Sequence, residues 1–218
     1  MKFIKEHNFL EKRLEKIGRY NSLAEKNVLL EDDLSNIEVF KLLYPNSELD
    51  PINEIEASAF ILKGIENSLN DYIDGMQECS CGVLNDFNLD IEEMINTNIE
   101  TKLPIGLFEN LEEFIEDPDE LTVKEYNAIQ DEVIENNQQI IKLTNKITCR
   151  QCGNIIPFAI NPKIFISKNS ISNLYDQYFN LMFHMNITKQ DIDNLPPFER
   201  ELYMGLLKKK LETTPTFP

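Results

Sequence analysis

The first 45 residues and the stretch after residue 53 repeat their apolar residues with the period of a helix. An apolar side chain recurs every three or four positions, as on one helix face. The members of this stripe are Phe9, Leu10, Leu14, Ile17, Leu29, Leu30, Leu34, Ile37, Phe40 and Leu43. Pro45 and Pro51 then interrupt it, and Asn53 is a suitable N-cap for a helix that reaches Asn70.

Farther along, the apolar period becomes two, which is the period of a half-buried strand. Alternation predicts one strand in residues 87–92, a second in 139–148 and a third over 155–160. Between them, Thr122 and Glu125 match a capping box and predict the start of a helix. The strands flank the chain's cysteine pairs, so we expect local antiparallel hairpins rather than a parallel sheet.

The last part of the chain has a helical pattern again. It begins with an apolar stripe formed by Leu174, Tyr178, Leu181, Met182 and Met185. Pro196 and Pro197 break the pattern, and a last helix follows from about Phe198 to about Leu211. Pro197 suits the first position of that helix, because its fixed φ is already helical.

Charge narrows the range of partners. The chain has 38 Asp and Glu against 21 Lys and Arg, a formal net charge of −17. Free nucleic acid is therefore not an expected partner, because affinity for it comes mainly from neutralised phosphates. No apolar run is long enough to span a bilayer, so we expect no membrane association. The first residues lack the apolar centre of a secretory signal, so we expect intracellular synthesis.

The acidity is concentrated in residues 109–135, which hold eleven acids and one base. Such a run most often forms the solvated face of a helix. A chelating or protein-docking face is the alternative, although the acids do not have EF-hand spacing.

Four cysteines occur as two close pairs, Cys79 with Cys81 and Cys149 with Cys152. In an intracellular chain such pairs indicate metal ligands or redox groups before structural disulfides. The segments after the two pairs repeat each other: a glycine comes next, a phenylalanine six residues on and an aliphatic residue eight residues on. The matching residues are Cys81, Gly82, Phe87 and Leu89 in the first segment, and Cys152, Gly153, Phe158 and Ile160 in the second.

This repeat is the pattern of two zinc knuckles. The glycine supplies the positive φ that the tight turn needs, and a strand then leaves the turn. Two facing knuckles complete a tetrahedral thiolate cage, as in a zinc ribbon. We therefore predict that Cys79, Cys81, Cys149 and Cys152 bind one Zn²⁺. Four cysteines close the coordination shell, so we expect a structural site and not a catalytic one.

Two other states of the cysteines remain open: four buried free thiols, or a redox dithiol at Cys149 and Cys152. A redox pair typically lies at a helix N-terminus, which lowers the pKa of a thiol. The residues after Cys152 indicate a strand instead, which disfavours the redox interpretation. His7 and His184 are remote in sequence, and we interpret both as ordinary surface or helix-face residues.

The predicted fold is α+β. Helical parts at the two ends, residues 1–50 and 163–218, flank a small antiparallel β unit that resembles a zinc ribbon. The middle segment, residues 51–162, contains a helix, the split ribbon and an acidic helical insertion at about residues 97–138.

An aromatic and methionine-rich stripe covers more than one side of the helix near residue 180. It contains Tyr175, Tyr178, Phe179, Met182, Phe183 and Met185. A helix that is apolar over so wide an arc is either a central core helix or a docking surface for another chain. The sequence has no phosphate-binding loop, nucleophile elbow, metalloprotease motif or dinucleotide fingerprint, so we expect no enzymatic activity.

After the second knuckle and this helix comes the segment Ile192-Asp193-Asn194-Leu195-Pro196-Pro197-Phe198-Glu199-Arg200-Glu201-Leu202-Tyr203. The arrangement resembles the baseplate hub and tail-assembly proteins of contractile-tailed bacteriophages. In that family an aspartate, a leucine-proline pair and a Phe-Glu-Arg-Glu sequence begin the final helix. The resemblance covers residues 55–211 in outline and is sharp at the knuckles and at residues 192–203.

The resemblance implies a non-enzymatic protein that helps to build the hub of a phage baseplate or forms part of it. It would act in the host cytoplasm during assembly, and the virion baseplate is a further location. Its partners would be other tail proteins, with the tape-measure protein as one candidate. The candidate partner-binding residues are Tyr175, Phe179, Phe183, Pro196, Pro197, Phe198 and Tyr203.

Two other function classes remain open. A zinc-ribbon factor associated with nucleic acid or transcription would show a basic stripe beside the knuckles. Acids flank the first knuckle, whereas Lys146 and Arg150 accompany the second. A redox enzyme would need a thiol with a depressed pKa at Cys149 or Cys152.

Overall fold

The computed structural model describes residues 13–51, 54–95, 121–140 and 142–213, without the side chains of residues 132–140. Some sequence predictions lie outside the described residues, namely those on His7, Phe9, Leu10, Asn53 and the acids of residues 109–120.

Within the described residues, helices flank two pairs of short strands. The helices are α1 (Ser22–Leu30), α2 (Asn36–Leu43), α3 (Glu54–Ser68), α4 (Ile91–Met94), α5 (Val123–Ile140), α6 (Ile171–Met185), α7 (Lys189–Asn194) and α8 (Pro197–Thr213), with a 3₁₀ helix at Pro162–Phe165. The strands are β1 (Tyr72–Glu78), β2 (Leu84–Asp90), β3 (Thr144–Thr148) and β4 (Ile155–Ala159). The predicted α+β class is confirmed. No helix among the described residues combines the length and the apolar character needed to cross a bilayer.

Each pair of strands is a separate two-stranded antiparallel hairpin. β1 pairs with β2 so that Gly75 lies opposite Phe87, and β3 pairs with β4 so that Asn145 lies opposite Phe158. An isolated hairpin of this size is marginally stable in water. The hairpins therefore depend on packing against other parts of the chain.

Capping side chains determine where several helices begin. At α2, Ser35 and Glu38 form a capping box in which each side chain accepts a hydrogen bond from the other residue's backbone N–H. The predicted capping box of Thr122 and Glu125 is confirmed at α5. Pro197 is the first residue of α8, as predicted.

Each predicted strand differs from the observed one at a boundary: β2 begins three residues earlier than predicted, and β4 ends one residue earlier. β2 ends at Asp90 and not at residue 92, because the Asp90 side chain caps α4. It accepts hydrogen bonds from the N–H groups of Glu92 and Glu93. α5 continues to Ile140, and β3 begins at Thr144. The first residues of the stretch predicted as a strand, 139–148, therefore lie in a helix.

The N-terminal helices and both hairpins share one hydrophobic core. The rings of Phe40 in α2 and Phe60 in α3 lie 5.3 Å apart at the centre of this core. Ile73 of β1 and Ile160, which follows β4, are buried in the same cluster. The core therefore holds each hairpin against the helices at the end distant from its cysteines.

Helices α6, α7 and α8 form a second cluster, with Leu174, Tyr178, Leu181 and Ile192 buried at its centre. The interpretation of α6 as a core helix holds for one side of the helix only. Tyr178 is buried, but four other residues of the predicted stripe are exposed: Tyr175, Phe179, Met182 and Phe183. The helix packs on one face and leaves an aromatic face uncovered within the described residues.

A buried ion pair joins the last described helix, α8, to the helix α1. Arg200 of α8 and Glu25 of α1 have fully buried side chains, and two hydrogen bonds of 2.5 and 3.1 Å connect them. Arg200 also donates to Gln177 Oε1 at 2.8 Å and to Ser22 Oγ at 2.7 Å. Each charge is therefore compensated, and loss of either partner would leave the other uncompensated in the interior.

The substitution Glu25→Ala is expected to lower the free energy of unfolding by about 3–5 kcal/mol, because it isolates the buried Arg200 charge. The double substitution Glu25→Met with Arg200→Met is expected to recover most of that loss, because it removes both charges. Denaturant unfolding followed by circular dichroism measures both values.

The matched control is the exposed pair of Lys41 and Asp50, whose atoms lie 3.6 Å apart. Asp50→Ala should change the free energy of unfolding by about 1 kcal/mol or less. An effect of Glu25→Ala as small as that of Asp50→Ala would contradict the importance given to the buried pair.

Candidate metal centre

The two hairpins bring all four cysteines together at their tips. The four Sγ atoms lie within 4.8 Å of one another, although they come from segments more than 60 residues apart. Cys79 Sγ is 3.6 Å from Cys152 Sγ, and Cys81 Sγ is 3.7 Å from Cys149 Sγ. The sequence prediction that these residues form one cluster is confirmed.

The cluster has a protected side and an open side. The first cysteine of each pair, Cys79 or Cys149, is buried, whereas the second, Cys81 or Cys152, is exposed. Ile156 and the two buried cysteines form a small apolar cluster, with Val83 and Ile147 packed against it. One side of any bound ion would thus be shielded from solvent.

Each cysteine pair lies in a tight turn that a glycine completes. Gly82 has φ +80° and Gly153 has φ +75°, which is the left-handed region predicted for both. The Gly82 N–H donates to Cys79 O, and the Gly153 N–H donates to Cys149 O. In both turns the glycine N–H therefore donates to the carbonyl oxygen of the first cysteine, three residues back in the shorter Cys-X-Cys turn and four residues back in the longer turn.

Backbone amides lower the pKa of both buried thiols. The N–H groups of Cys152 and Gln151 donate to Cys149 Sγ, and they lower its pKa to about 6. The Cys81 N–H donates to Cys79 Sγ and is the largest cause of its lowered pKa. Both sulfurs are thus prepared to carry negative charge.

The exposed thiols behave in the opposite way. The Val83 N–H lowers the pKa of Cys81, but partial desolvation and the three neighbouring sulfurs outweigh it and raise the pKa to about 12. The Asn154 N–H acts similarly on Cys152, whose pKa is nevertheless raised by the Cys79 sulfur and by desolvation. Without a cation, four adjacent thiolates repel one another, so part of the set retains its protons.

The donor set fits a tetrahedral metal ion. Four sulfurs at about 2.3 Å from a central zinc ion would lie about 3.8 Å from one another. The separations of 3.6 and 3.7 Å are close to that value, and they are far too long for a disulfide bond of about 2.05 Å. This arrangement of four cysteines could hold a metal ion.

The repeated aromatic residues pack against each other across the two hairpins. The rings of Phe87 and Phe158 have centroids 4.7 Å apart and planes tilted by 32°. The ring of Phe87 lies so close to Gly75 that a Cβ on that glycine would clash with it. Leu89 and Ile160 join the main core, so the repeat places its aromatic and aliphatic residues on the packed side of each hairpin.

Sequence reasoning missed Asn85, which is buried beside the cysteines. Its side-chain nitrogen lies 3.7 Å from Cys149 Sγ, and its Oδ1 accepts the Arg150 N–H at 2.9 Å. One signal was present in the sequence: when the two repeats are aligned, Asn85 falls opposite Ile156. A polar residue at one of two equivalent inward positions indicates a specific partner.

The candidate partner-binding residues do not form one exposed set. Tyr175, Phe179 and Phe183 are 52, 59 and 71% exposed on α6. Pro197 is buried and is therefore not available to a partner, and Pro196 and Tyr203 are half-buried, with Tyr203 packed against the C-terminal cluster. Phe198 is half-buried with the Arg19 guanidinium over its ring at 4.9 Å.

The substitution Gly153→Ala is expected to lower the free energy of unfolding by about 1–2 kcal/mol, because an L residue must adopt the left-handed conformation there. Gly205→Ala is the matched control. A Cβ added to Gly205, in α8, would meet no atom within 4 Å, so alanine should stabilise the helix by about 1 kcal/mol. Thermal unfolding measures both, and a stabilising Gly153→Ala would contradict the role given to the turn.

Comparison of the chain with protein-family models, with curated proteins and with solved structures finds no match. The function is therefore inferred from the geometry of the site and from the sequence resemblance.

Proposed function

We propose that this chain is a non-enzymatic structural or assembly protein in which a zinc ion joins two distant hairpins. The observation that carries the proposal is the convergence of four Sγ atoms within 4.8 Å. The proposed ligands are Cys79, Cys81, Cys149 and Cys152, which would leave no open position for substrate or water. A closed thiolate shell is typical of a structural site.

Zinc is the preferred metal for chemical reasons. Tetrahedral sites with four thiolates select zinc or iron, and soft sulfur ligands disfavour magnesium and calcium. A bound divalent ion would replace the protons that the exposed thiols otherwise retain. It would also remove the repulsion among the four sulfurs, so that binding and folding would be coupled.

Zinc would stabilise the structure as a cross-link. The two hairpins meet the main core through one end of each strand pair, and the cysteines lie at the other end. Closure of a long loop is only slightly less favourable than closure of a short one, so the insertion between the knuckles is compatible with such a link.

The full chain, purified without added metal, should contain about one zinc per molecule by elemental mass spectrometry. Cys149→Ser should lose most of that metal, because it removes one of four ligands. A strong chelator should lower the melting temperature of the wild type to that of Cys149→Ser.

Gln151→Ala is the matched control, because residue 151 lies exposed in the same turn and its backbone N–H is retained. It should keep the metal content of the wild type. The proposal would be contradicted if the purified wild type contained no metal and melted at the same temperature with and without chelator. If the protein contained iron and not zinc, the proposed identity of the metal would be wrong.

We also propose that the protein acts in assembly of a phage baseplate hub, in the host cytoplasm and as a candidate component of the virion. The support is the sequence resemblance at the knuckles and at residues 192–203. In the structure much of that segment makes internal contacts: Asp193 accepts from Tyr178 Oη at 3.0 Å, and Arg200 forms the buried pair with Glu25. The segment therefore fastens the C-terminal helices to the rest of the chain.

The aromatic face of α6, defined by Tyr175, Phe179, Met182 and Phe183, is the proposed contact with another tail protein. The rings of Phe179 and Phe183 are stacked with centroids 5.7 Å apart and planes 8° from parallel. Large aromatic side chains on one helix face are typical of the buried centres of protein interfaces. We propose a tail protein as the occupant of this face, since the resemblance indicates that class.

The double substitution Phe179→Ser with Phe183→Ser should abolish co-purification with baseplate or tail proteins from infected cells. It should leave the melting temperature nearly unchanged, because both side chains are exposed. Mass spectrometry identifies the captured proteins in the wild-type and variant preparations.

Val123→Ser is the control, because Val123 is a 79% exposed apolar residue on another helix. It should leave co-purification intact. Equal capture by the wild type and the double variant, or wild-type capture of no tail component, would contradict the assembly proposal without affecting the metal site.

A further inference from the structure

We infer that Asn85 is a positioning residue of the metal centre, which holds the second knuckle in place and orients Cys149 toward the ion. This inference rests on the proposed metal site and adds a residue outside the four ligands.

The contacts of Asn85 cross from one hairpin to the other. The residue belongs to β2, in the first hairpin, and is only 4% exposed. Its Oδ1 accepts the backbone N–H of Arg150, at 2.9 Å, in the turn of the second knuckle. Its Nδ2 donates to Val83 O at 2.9 Å and lies 3.7 Å from Cys149 Sγ.

These partners determine how the amide is oriented. The Arg150 N–H can only donate and Val83 O can only accept. The Asn85 Oδ1 must therefore face Arg150 in the second knuckle, and its Nδ2 must face Val83 in the first knuckle. The remaining hydrogen of Nδ2 then points toward Cys149 Sγ. Both donors and the acceptor of the side chain are therefore used within the protein.

The side chain completes the hydrogen bonding of the second turn. The Gln151 and Cys152 N–H groups donate to Cys149 Sγ, and the Gly153 N–H donates to Cys149 O. The Arg150 N–H, the first of this turn, has its acceptor in Asn85. Without Asn85, the Arg150 N–H would lose its partner, and Cys149 Sγ would lose one of its three N–H donors.

The two repeats carry different residues at this position, and the comparison distinguishes the effect of packing from the effect of hydrogen bonding. Ile156 occupies the equivalent place in the second hairpin and packs beside Cys79 and Cys149. An isoleucine is therefore compatible with an inward position next to the sulfurs. Hydrogen bonds from second-layer groups to metal ligands typically change metal affinity by 10- to 100-fold.

The experiment compares the full-length wild type with Asn85→Ile and Asn85→Ala. Each protein is loaded with Zn²⁺, and transfer of the metal to a chromophoric chelator gives its affinity and its release rate. Loading with Co²⁺ gives the visible absorption of a tetrahedral thiolate site. The matched control is Asn88→Ala on the same strand, because Asn88 is hydrogen-bonded to Asp74 within its own hairpin.

Both Asn85 variants should bind one metal ion about 10- to 100-fold more weakly than the wild type, with faster release and an altered Co²⁺ spectrum. Asn88→Ala should match the wild type in all three measurements. Wild-type affinity, release rate and Co²⁺ spectrum in both Asn85 variants would overturn the inference. The Co²⁺ spectrum separates positioning from stability: a purely structural role could weaken binding through the coupling of binding to folding, but it would leave the spectrum of the metal-bound site unchanged.

Two further outcomes have different consequences for the inference. If neither Asn85 variant folds, amide hydrogen exchange at Arg150 in the zinc-loaded wild type tests the inference instead: slow exchange supports it and fast exchange overturns it. If the wild type itself binds neither Zn²⁺ nor Co²⁺, the proposed metal site fails, and this inference fails with it.

Discussion

The arrangement of the β part of this molecule depends on four sulfur atoms meeting at one point. Each hairpin has only two strands, which is too few for independent stability, and the core reaches the ends of the strands distant from the cysteines. The tips carry groups that repel one another when ionised, so the same cluster is unfavourable without a cation and favourable with one. That asymmetry is the physical reason to propose a metal ion as part of the fold.

A second set of contacts connects the C-terminal helices to the N-terminal helices. The Arg200–Glu25 pair joins α8 to α1, and the Ser22 N–H and hydroxyl both donate to Leu195 O at 2.8 Å. These contacts attach the C-terminal helices to the N-terminal ones while leaving the aromatic face of α6 open to solvent within the described residues. One face of α6 thus supports the fold, and the other is available to the partner that we propose.

Local pattern was sufficient to predict the repeat and several helix starts from the sequence. The glycines, the phenylalanine pair and the capping box of Thr122 and Glu125 are short-range signals, and the structure confirms them. β1 was not among the predicted strands, because Asp74, Gly75 and Gln77 give its sequence little strand character. Asn85 and Glu25 were missed because their partners are 65 and 175 residues away, and no periodicity along the chain records such contacts.

The measurement that tests the central claim most directly is X-ray absorption at the metal edge of the purified full-length protein. We predict zinc with four sulfur neighbours at about 2.3 Å and no nitrogen or oxygen among its ligands. A ligand set that includes nitrogen or oxygen, or a folded protein with no bound metal, would contradict this claim.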